Sequence, residues 1–299
     1  LYILNHIDNK DQNYLELSNS TTSFFAKICL RFGGSLQKLT LHENQIIKEF
    51  EPFNKEKPYA SAILFPFTGR IRNGQYDFEL ESYQLEMDKE NNTALHGFVY
   101  NKEFDLVDYE LSEELVTVNL EHIEDKKNKG FPYNYSLLMT YKFTHESVIT
   151  YVTIRNKDEY SFPFSLGWHP FFFSSSLYNS YLEIESDREI VFDNEMIPVK
   201  FQNNALKSQI QIKDLKLDDC YRLKNNSVRF ITPDYTLNIS SSSQENYLQV
   251  YTPADSKDCI AIELMTAPAD SFNNKVGFKS LVPGEKYNIS WKIALSKNN

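Results

Sequence analysis

Short apolar runs rich in β-branched and aromatic residues recur along the whole chain, separated by clusters of Asn, Asp, Lys and Gly. That pattern predicts an antiparallel all-β protein. The runs at 24–32, 75–80, 116–122, 136–143, 148–155, 182–184, 236–240, 247–251, 259–265 and 287–295 read as strands, and long helical periodicity is absent. Ten or more strands exceed one comfortable sheet, so two packed sheets or a closed barrel is expected. Thr144, His145, Glu146 and Ser147 form a hairpin turn between alternating runs, which puts His145 at a loop tip without a role.

Two apolar runs hold a polar group where the pattern calls for none. In Phe164, Ser165, Leu166, Gly167, Trp168, His169, Pro170, Phe171, Phe172, Phe173, one imidazole sits in a wall of aromatics. Strand parity puts His169 on the face of Gly167 and Ser165, with Trp168 and Leu166 opposite. Pro163 and Pro170 give no ladder donor and mark a strand end or edge. A histidine at a strand mouth beside bulky aromatics suits a small polar ligand with an apolar face, such as a sugar ring. The competing reading is a core histidine satisfied by a backbone carbonyl.

The second run is Cys259, Ile260, Ala261, Ile262, Glu263, Leu264, Met265, apolar on both faces except for one carboxylate. A buried glutamate needs a partner or gives up its charge. Glu263 therefore pairs with a cation or stands at a pocket as a tuned acid or base. Arg70 emerges after Gly69 at the end of another apolar strand, where a guanidinium can grip oxygens bidentately, and Arg72 shares its face by parity. His96, beside Gly97, and Asp218 with Asp219, beside Cys220, read as structural or turn residues when each is taken alone.

Composition narrows the classes. At 299 residues and 41% hydrophobic, with no dividing linker, the chain has the material for one large domain over 1–299. No apolar run approaches a membrane span. A net charge of -10 argues against nucleic acid, and the basic cluster Lys126, Lys127, Lys129, flanked by Glu124 and Asp125, reads as a solvated loop. Cys29, Cys220 and Cys259 cannot all pair and lack Cys-x-x-Cys spacing, which fits a reducing, cytoplasmic setting. The opening Leu1, Tyr2, Ile3, Leu4, Asn5, His6 has neither the basic region nor the apolar core of a signal peptide. There is no phosphate-cradling glycine loop, dinucleotide fingerprint or His-Glu-x-x-His helix, so no cofactor and no metal is expected.

Taken together and in order, these residues resemble the aldose 1-epimerases, or galactose mutarotases. The matches are Gly69, Arg70, Ile71, Arg72, Asn73 and Gly74, then Leu95, His96 and Gly97, then Trp168, His169, Pro170, Phe171 and Phe172. Leu217, Asp218, Asp219, Cys220 and Tyr221 follow, then Glu263 with Thr266, Pro268, Ala269 and Asn273, and last Pro283, Gly284 and Glu285. The resemblance implies the large antiparallel β-sandwich of that family and interconversion of the α and β anomers of a free hexose, with a small-molecule sugar as partner. It implies Glu263 as general base on the anomeric hydroxyl and His169 as general acid on the ring oxygen. Arg70 and His96 would bind substrate and stabilise charge, Asp218 would grip sugar hydroxyls, and Trp168 would be a further substrate-binding residue. Opening a hemiacetal needs one proton removed at O1 and another delivered to O5, which a carboxylate and an imidazole supply without a cofactor.

The chain departs from the common pattern in two places. Trp168 precedes the histidine, and Pro170, Phe171 and Phe172 follow it, where the family more often has Asn before and Tyr-Phe-Asn after. That places it nearer the divergent branches, some of which act on phosphorylated hexoses. Asp219 stands where many members carry a histidine, so Asp218 and Asp219 both stay open as the sugar contact. The alternatives are a hexose-phosphate mutarotase, a β-sandwich glycoside hydrolase or lyase using Asp218 and Glu263, and a non-catalytic sugar-binding module resting on Trp168 and Phe171.

Overall fold

The computed structural model describes residues 2–10, 12–21, 23–50, 59–87, 93–126, 128–203 and 208–296. Two large antiparallel sheets hold most of them. The thirteen-stranded sheet begins with a meander of chain neighbours, Tyr2–Asp8, Asn13–Asn19, Phe25–Cys29, Ser35–Leu41 and Asn44–Ile47. It continues through strands brought from far along the chain, in the order Phe171–Phe173, Cys259–Met265, Tyr247–Tyr251, Asp218–Leu223, Ser186–Phe192 and Pro198–Asn203. Gly167–Trp168 and Ile63–Leu64 join it beside Cys259–Met265. The nine-stranded sheet runs Asp105–Leu111, Val116–Glu124, Tyr135–Phe143, Ser147–Asn156, Lys286–Leu295, Thr236–Ser241, Ser227–Ile231, Tyr181–Glu183 and Gln209–Gln211. The sheets stack as a sandwich.

Period-two alternation sets which faces meet. Leu137, Met139, Tyr141 and Phe143 point inward from one strand of the smaller sheet, and Ile260, Ile262 and Leu264 point to meet them from the larger. Fully burying an aliphatic side chain of this size contributes about 1.5–3 kcal/mol. Trp291 crosses the same layer and donates its indole N–H to the Leu264 carbonyl at 2.8 Å.

The strand Cys259–Met265 is buried along its whole length, yet its two faces do different things. Ile260, Ile262 and Leu264 fill the space between the sheets. Cys259, Ala261, Glu263 and Met265 face the other way, toward segments that cover the outer side of the larger sheet.

Each of the ten runs read as strands is a strand; 247–251 and 259–265 keep their bounds, and the other eight have shifted ends. The run 75–80 stops at Phe78 because Glu79 and Leu80 take left-handed backbone angles and turn the chain. The hairpin turn at 144–147 joins Tyr135–Phe143 to Ser147–Asn156 in register. The aromatic run 164–173 is not one strand: Gly167–Trp168 and Phe171–Phe173 are separated by His169 and Pro170. At that break the His169 N–H donates to Ala62 O at 3.1 Å, and its carbonyl accepts from Ser61 N at 2.8 Å. Of the basic cluster, Lys126 and Lys129 are exposed, and Lys127 lies outside the described residues. No helix among the described residues is long and apolar enough to cross a membrane.

Candidate active site

A cavity of about 420 Å³ opens on the outer face of the larger sheet. Its floor comes from three neighbouring strands: Glu263 and Met265, Gln249 and Tyr251, and Asp218. The pairing Gln249↔Glu263 and Asp218↔Tyr251 puts these side chains in adjacent positions on one face. Arg70, His96, His169 and Phe171 stand along one side, and Phe192 and Met196 close another.

His169 and Glu263 form the innermost polar contact. Nε2 of His169 is 3.3 Å from Oε1 of Glu263, and the two residues are 7% and 2% exposed. Phe171 stacks on the imidazole with ring centres 5.0 Å apart. Burial pushes the Glu263 carboxyl well above the ordinary carboxylate range, with the nearby Asp218 charge adding to the rise, and pulls the His169 imidazole down to about 4. Each shift strengthens the group for one task, since a carboxylate that is hard to keep ionised is a strong base and an imidazolium with a low pKa is a strong acid. Their remaining polar atoms, His169 Nδ1 and Glu263 Oε2, are buried without a hydrogen-bond partner, a costly state that a bound polar ligand would relieve.

His96 enters from a turn that requires unusual backbone. His96 and Gly97 both have left-handed angles, φ 58° and 73°, and a Cβ on Gly97 would lie 2.0 Å from the Phe65 carbonyl oxygen. The turn is tied to Gly69 twice: His96 N–H donates to Gly69 O at 2.9 Å, and Gly69 N–H donates to His96 Nδ1 at 3.3 Å. The ring meets His169 edge-on at 5.3 Å and Tyr59 at 4.8 Å. Burial, helped by His169 and Arg70, holds the His96 imidazole well below its usual range, so the ring is neutral near pH 7.

Arg70 pairs with Leu95 across a short ribbon and has no ion-pair partner among the described residues. Asp218 faces the cavity at its solvent-side rim and accepts from Gln249 Nε2 at 2.8 Å. Crowding by the wall raises its carboxyl, against the pull of Arg70 and the Gln249 amide. Asp219, one residue on, points to the opposite face and does not line the cavity, so geometry selects Asp218 of the two.

Five of the six site residues expected from sequence, Arg70, His96, His169, Asp218 and Glu263, therefore meet around one cavity. Trp168 does not, and its assignment as a substrate contact is corrected. It is 1% exposed, sits between the sheets 6.4 Å from Trp291, and gives its indole N–H to Ser61 O at 3.0 Å. Adjacent residues at a strand face opposite ways, so the parity that turns His169 to the cavity turns Trp168 into the core. Sequence reasoning missed Tyr59, Phe192, Met196, Gln249 and Tyr251. Gln249 and Tyr251 alternate on one recognised strand, but which face borders the cavity is fixed by pairing with Glu263. Among the described residues, no group of three His, Cys, Asp or Glu is placed to hold a metal ion.

Residues 15–294 match the family model described as aldose 1-epimerase. A galactose mutarotase-like protein from Clostridium acetobutylicum superimposes with a TM-score of 0.88 at 19% identity, covering 99% of this chain and 98% of that one. Galactose 1-epimerase from Lactobacillus acidophilus gives 0.84 at 17% identity, over 100% of this chain and 99% of that one. In sequence, the uncharacterized protein YihR of Escherichia coli is 20% identical over 274 residues, 87% of each chain.

Proposed function

Since this chain belongs to the aldose 1-epimerase family, we propose that it interconverts the α and β anomers of a free hexose by acid–base opening of the sugar ring. The observation that carries this reading is the buried contact between His169 and Glu263 at the floor of the cavity. Transfer of the pair's single proton from Glu263 to His169 across their 3.3 Å contact gives the reactive, less stable arrangement, in which Glu263 as carboxylate takes the proton from O1 while His169 as imidazolium gives its proton to O5. The C1–O5 bond breaks, the C1–O1 bond becomes a carbonyl, and the open-chain aldehyde turns about C1–C2. Closure on the other face returns a proton from Glu263 to O1 and from O5 to His169, so the pair ends with the protons it began with. Burial favours the uncharged arrangement of the two groups, and ring opening is the half-reaction that delivers them into it.

Neutral His96 donates to a sugar oxygen through Nε2, Arg70 supplies positive charge beside the site, and Asp218 with Gln249 offers acceptor and donor to ring hydroxyls. At the small end of the ~300–1,000 Å³ of ligand pockets, the cavity suits one ring rather than a glycan chain, which favours epimerisation over glycoside cleavage. The proposed setting is cytoplasmic, supported by three buried cysteines without a disulfide.

A hexose phosphate is the second reading, resting on Arg70, which lines the cavity and forms no close ion pair among the described residues. Arg72 cannot help it, because that guanidinium is occupied by Asp193 and Glu195. Exchange NMR or coupled polarimetry on free and phosphorylated hexoses, at matched concentration and ionic strength, tests both. Faster interconversion of a neutral hexose supports the first reading, and strong preference for the phosphate selects the second. No catalysis of either removes the enzyme assignment.

A further inference from the structure

Arg72 lies on the same short strand as Arg70, Arg70–Arg72, but does not line the cavity. Its guanidinium is divided between two carboxylates, Nη2 to Asp193 Oδ2 at 2.5 Å and Nη1 to Glu195 Oε2 at 2.6 Å. Both acids belong to the turn that joins Ser186–Phe192 to Pro198–Asn203. Phe192, the last residue of the strand entering that turn, and Met196 within it form a wall of the cavity.

Asp193 also orders the turn itself, its Oδ1 accepting the amides of Glu195 at 2.9 Å and Ile197 at 3.1 Å. Met196 takes a left-handed φ of 58°, a conformation that an unbranched side chain holds only when its surroundings enforce it. At the other end, Arg72 N–H donates to Asp270 Oδ1 at 3.0 Å, and buried Asp270 gives its own N–H to Arg70 O at 2.6 Å. A continuous line of polar contacts thus joins the strand that carries Arg70 to the turn that carries Phe192 and Met196. Half-exposed ion pairs add little to global stability. What a rigid planar fork held by two carboxylates does well is select one geometry for a loop.

We propose that Arg72 is a positioning residue for the sugar pocket, clasping the 193–197 turn so that Phe192 and Met196 present an apolar wall to one face of the hexose ring. The inference rests on the sugar-binding side of the reading above. An aromatic ring and a thioether give a pyranose face contact area at low ordering cost, provided the turn is already in place.

The test compares the wild type, Arg72→Ala, the wall variant Phe192→Ala/Met196→Ala, and the triple variant. Hexose affinity is read by ligand-observed NMR titration, turnover by exchange NMR, and order of the turn by amide hydrogen exchange over 193–197. Arg72→Ala is expected to weaken affinity about tenfold with little change in kcat, and to speed exchange in the turn. In the wall variant the same substitution adds less than about twofold, because residues acting through one another are not additive. Arg72→Lys recovers some of the loss and gives the same comparison should the alanine variant fold poorly. The full tenfold loss in the wall variant, unchanged affinity in Arg72→Ala, or a wild type that binds no hexose overturns the inference. A wild type that binds hexose without interconverting its anomers sinks the catalytic reading and leaves the clasp standing.

Discussion

His96 Nδ1 accepts the backbone N–H of Gly69, which leaves Nε2 as the nitrogen that carries the proton of the neutral ring. A histidine locked in this tautomer presents an N–H donor at Nε2, which in the proposed reaction serves binding and not acid catalysis. His96→Asn, chosen because asparagine tolerates the left-handed angle, is expected to raise KM for the preferred hexose about 2–10-fold, the worth of one neutral hydrogen bond. The rise should be insensitive to salt. A hundredfold fall in kcat would instead put His96 on the reacting atoms.

Removing either member of the buried pair should spare the fold and cripple the chemistry. Glu263→Gln and His169→Asn are each expected to slow anomer interconversion by about 10²–10⁴-fold, the usual contribution of a positioned acid or base. Circular dichroism establishes folding and exchange NMR the rate. Full activity in either variant removes that residue from the mechanism.

The opposite shifts of Glu263 and His169 fix the sign of their pH effects. Between the unperturbed values of 4.5 and 6.5, the unfolded chain holds one proton on these groups, on the imidazole, and the folded pair also holds one, on the carboxyl. Their joint contribution to stability is therefore flat across that window. Above 6.5 the unfolded chain has lost its proton and the folded pair keeps one, so the contribution falls with rising pH until Glu263 ionises. In Glu263→Gln only the lowered imidazole is left, and stability should instead be lost as pH falls from 6.5 toward about 4. Urea unfolding of both proteins from about pH 4.5 to about pH 8 compares the two slopes. Identical slopes would show that the carboxyl is not held protonated.

Trp168→Phe separates packing from sugar binding. It leaves the buried Ser61 carbonyl without its donor and should destabilise the protein by about 1–3 kcal/mol. KM for the hexose should stay within about twofold, because the ring never reaches the cavity. A large KM effect at unchanged melting temperature would return Trp168 to the site.

What was legible in the sequence was local. Runs such as Tyr247–Tyr251 and Cys259–Met265 declared themselves by residue type, and Glu263 by being a lone carboxylate in one of them. Histidine in an aromatic run drew attention to His169, while the adjacent Trp168 was drawn in by its company although alternation already turned it away. Hidden from sequence were relationships made by pairing. Nothing near Phe192 or Met196 announces a pocket, since Arg72, which holds their turn, is more than a hundred positions earlier in the chain. The choice between Asp218 and Asp219 likewise waited on which of them stands across from Tyr251 on the cavity side.

The two-sided strand Cys259–Met265 also bears on how the chain finds its fold. A slip of one residue against Tyr247–Tyr251 would swing Glu263 between the sheets and expel Ile262 and Leu264 from the core. A carboxyl stranded there, away from His169, would be an orphan in hydrocarbon, and two aliphatic anchors would be lost with it. The cost of burying Glu263 in that layer thus disfavours the slipped register. The native register is therefore specified by both faces of this strand at once, its aliphatic face against the smaller sheet and its carboxylate face toward His169.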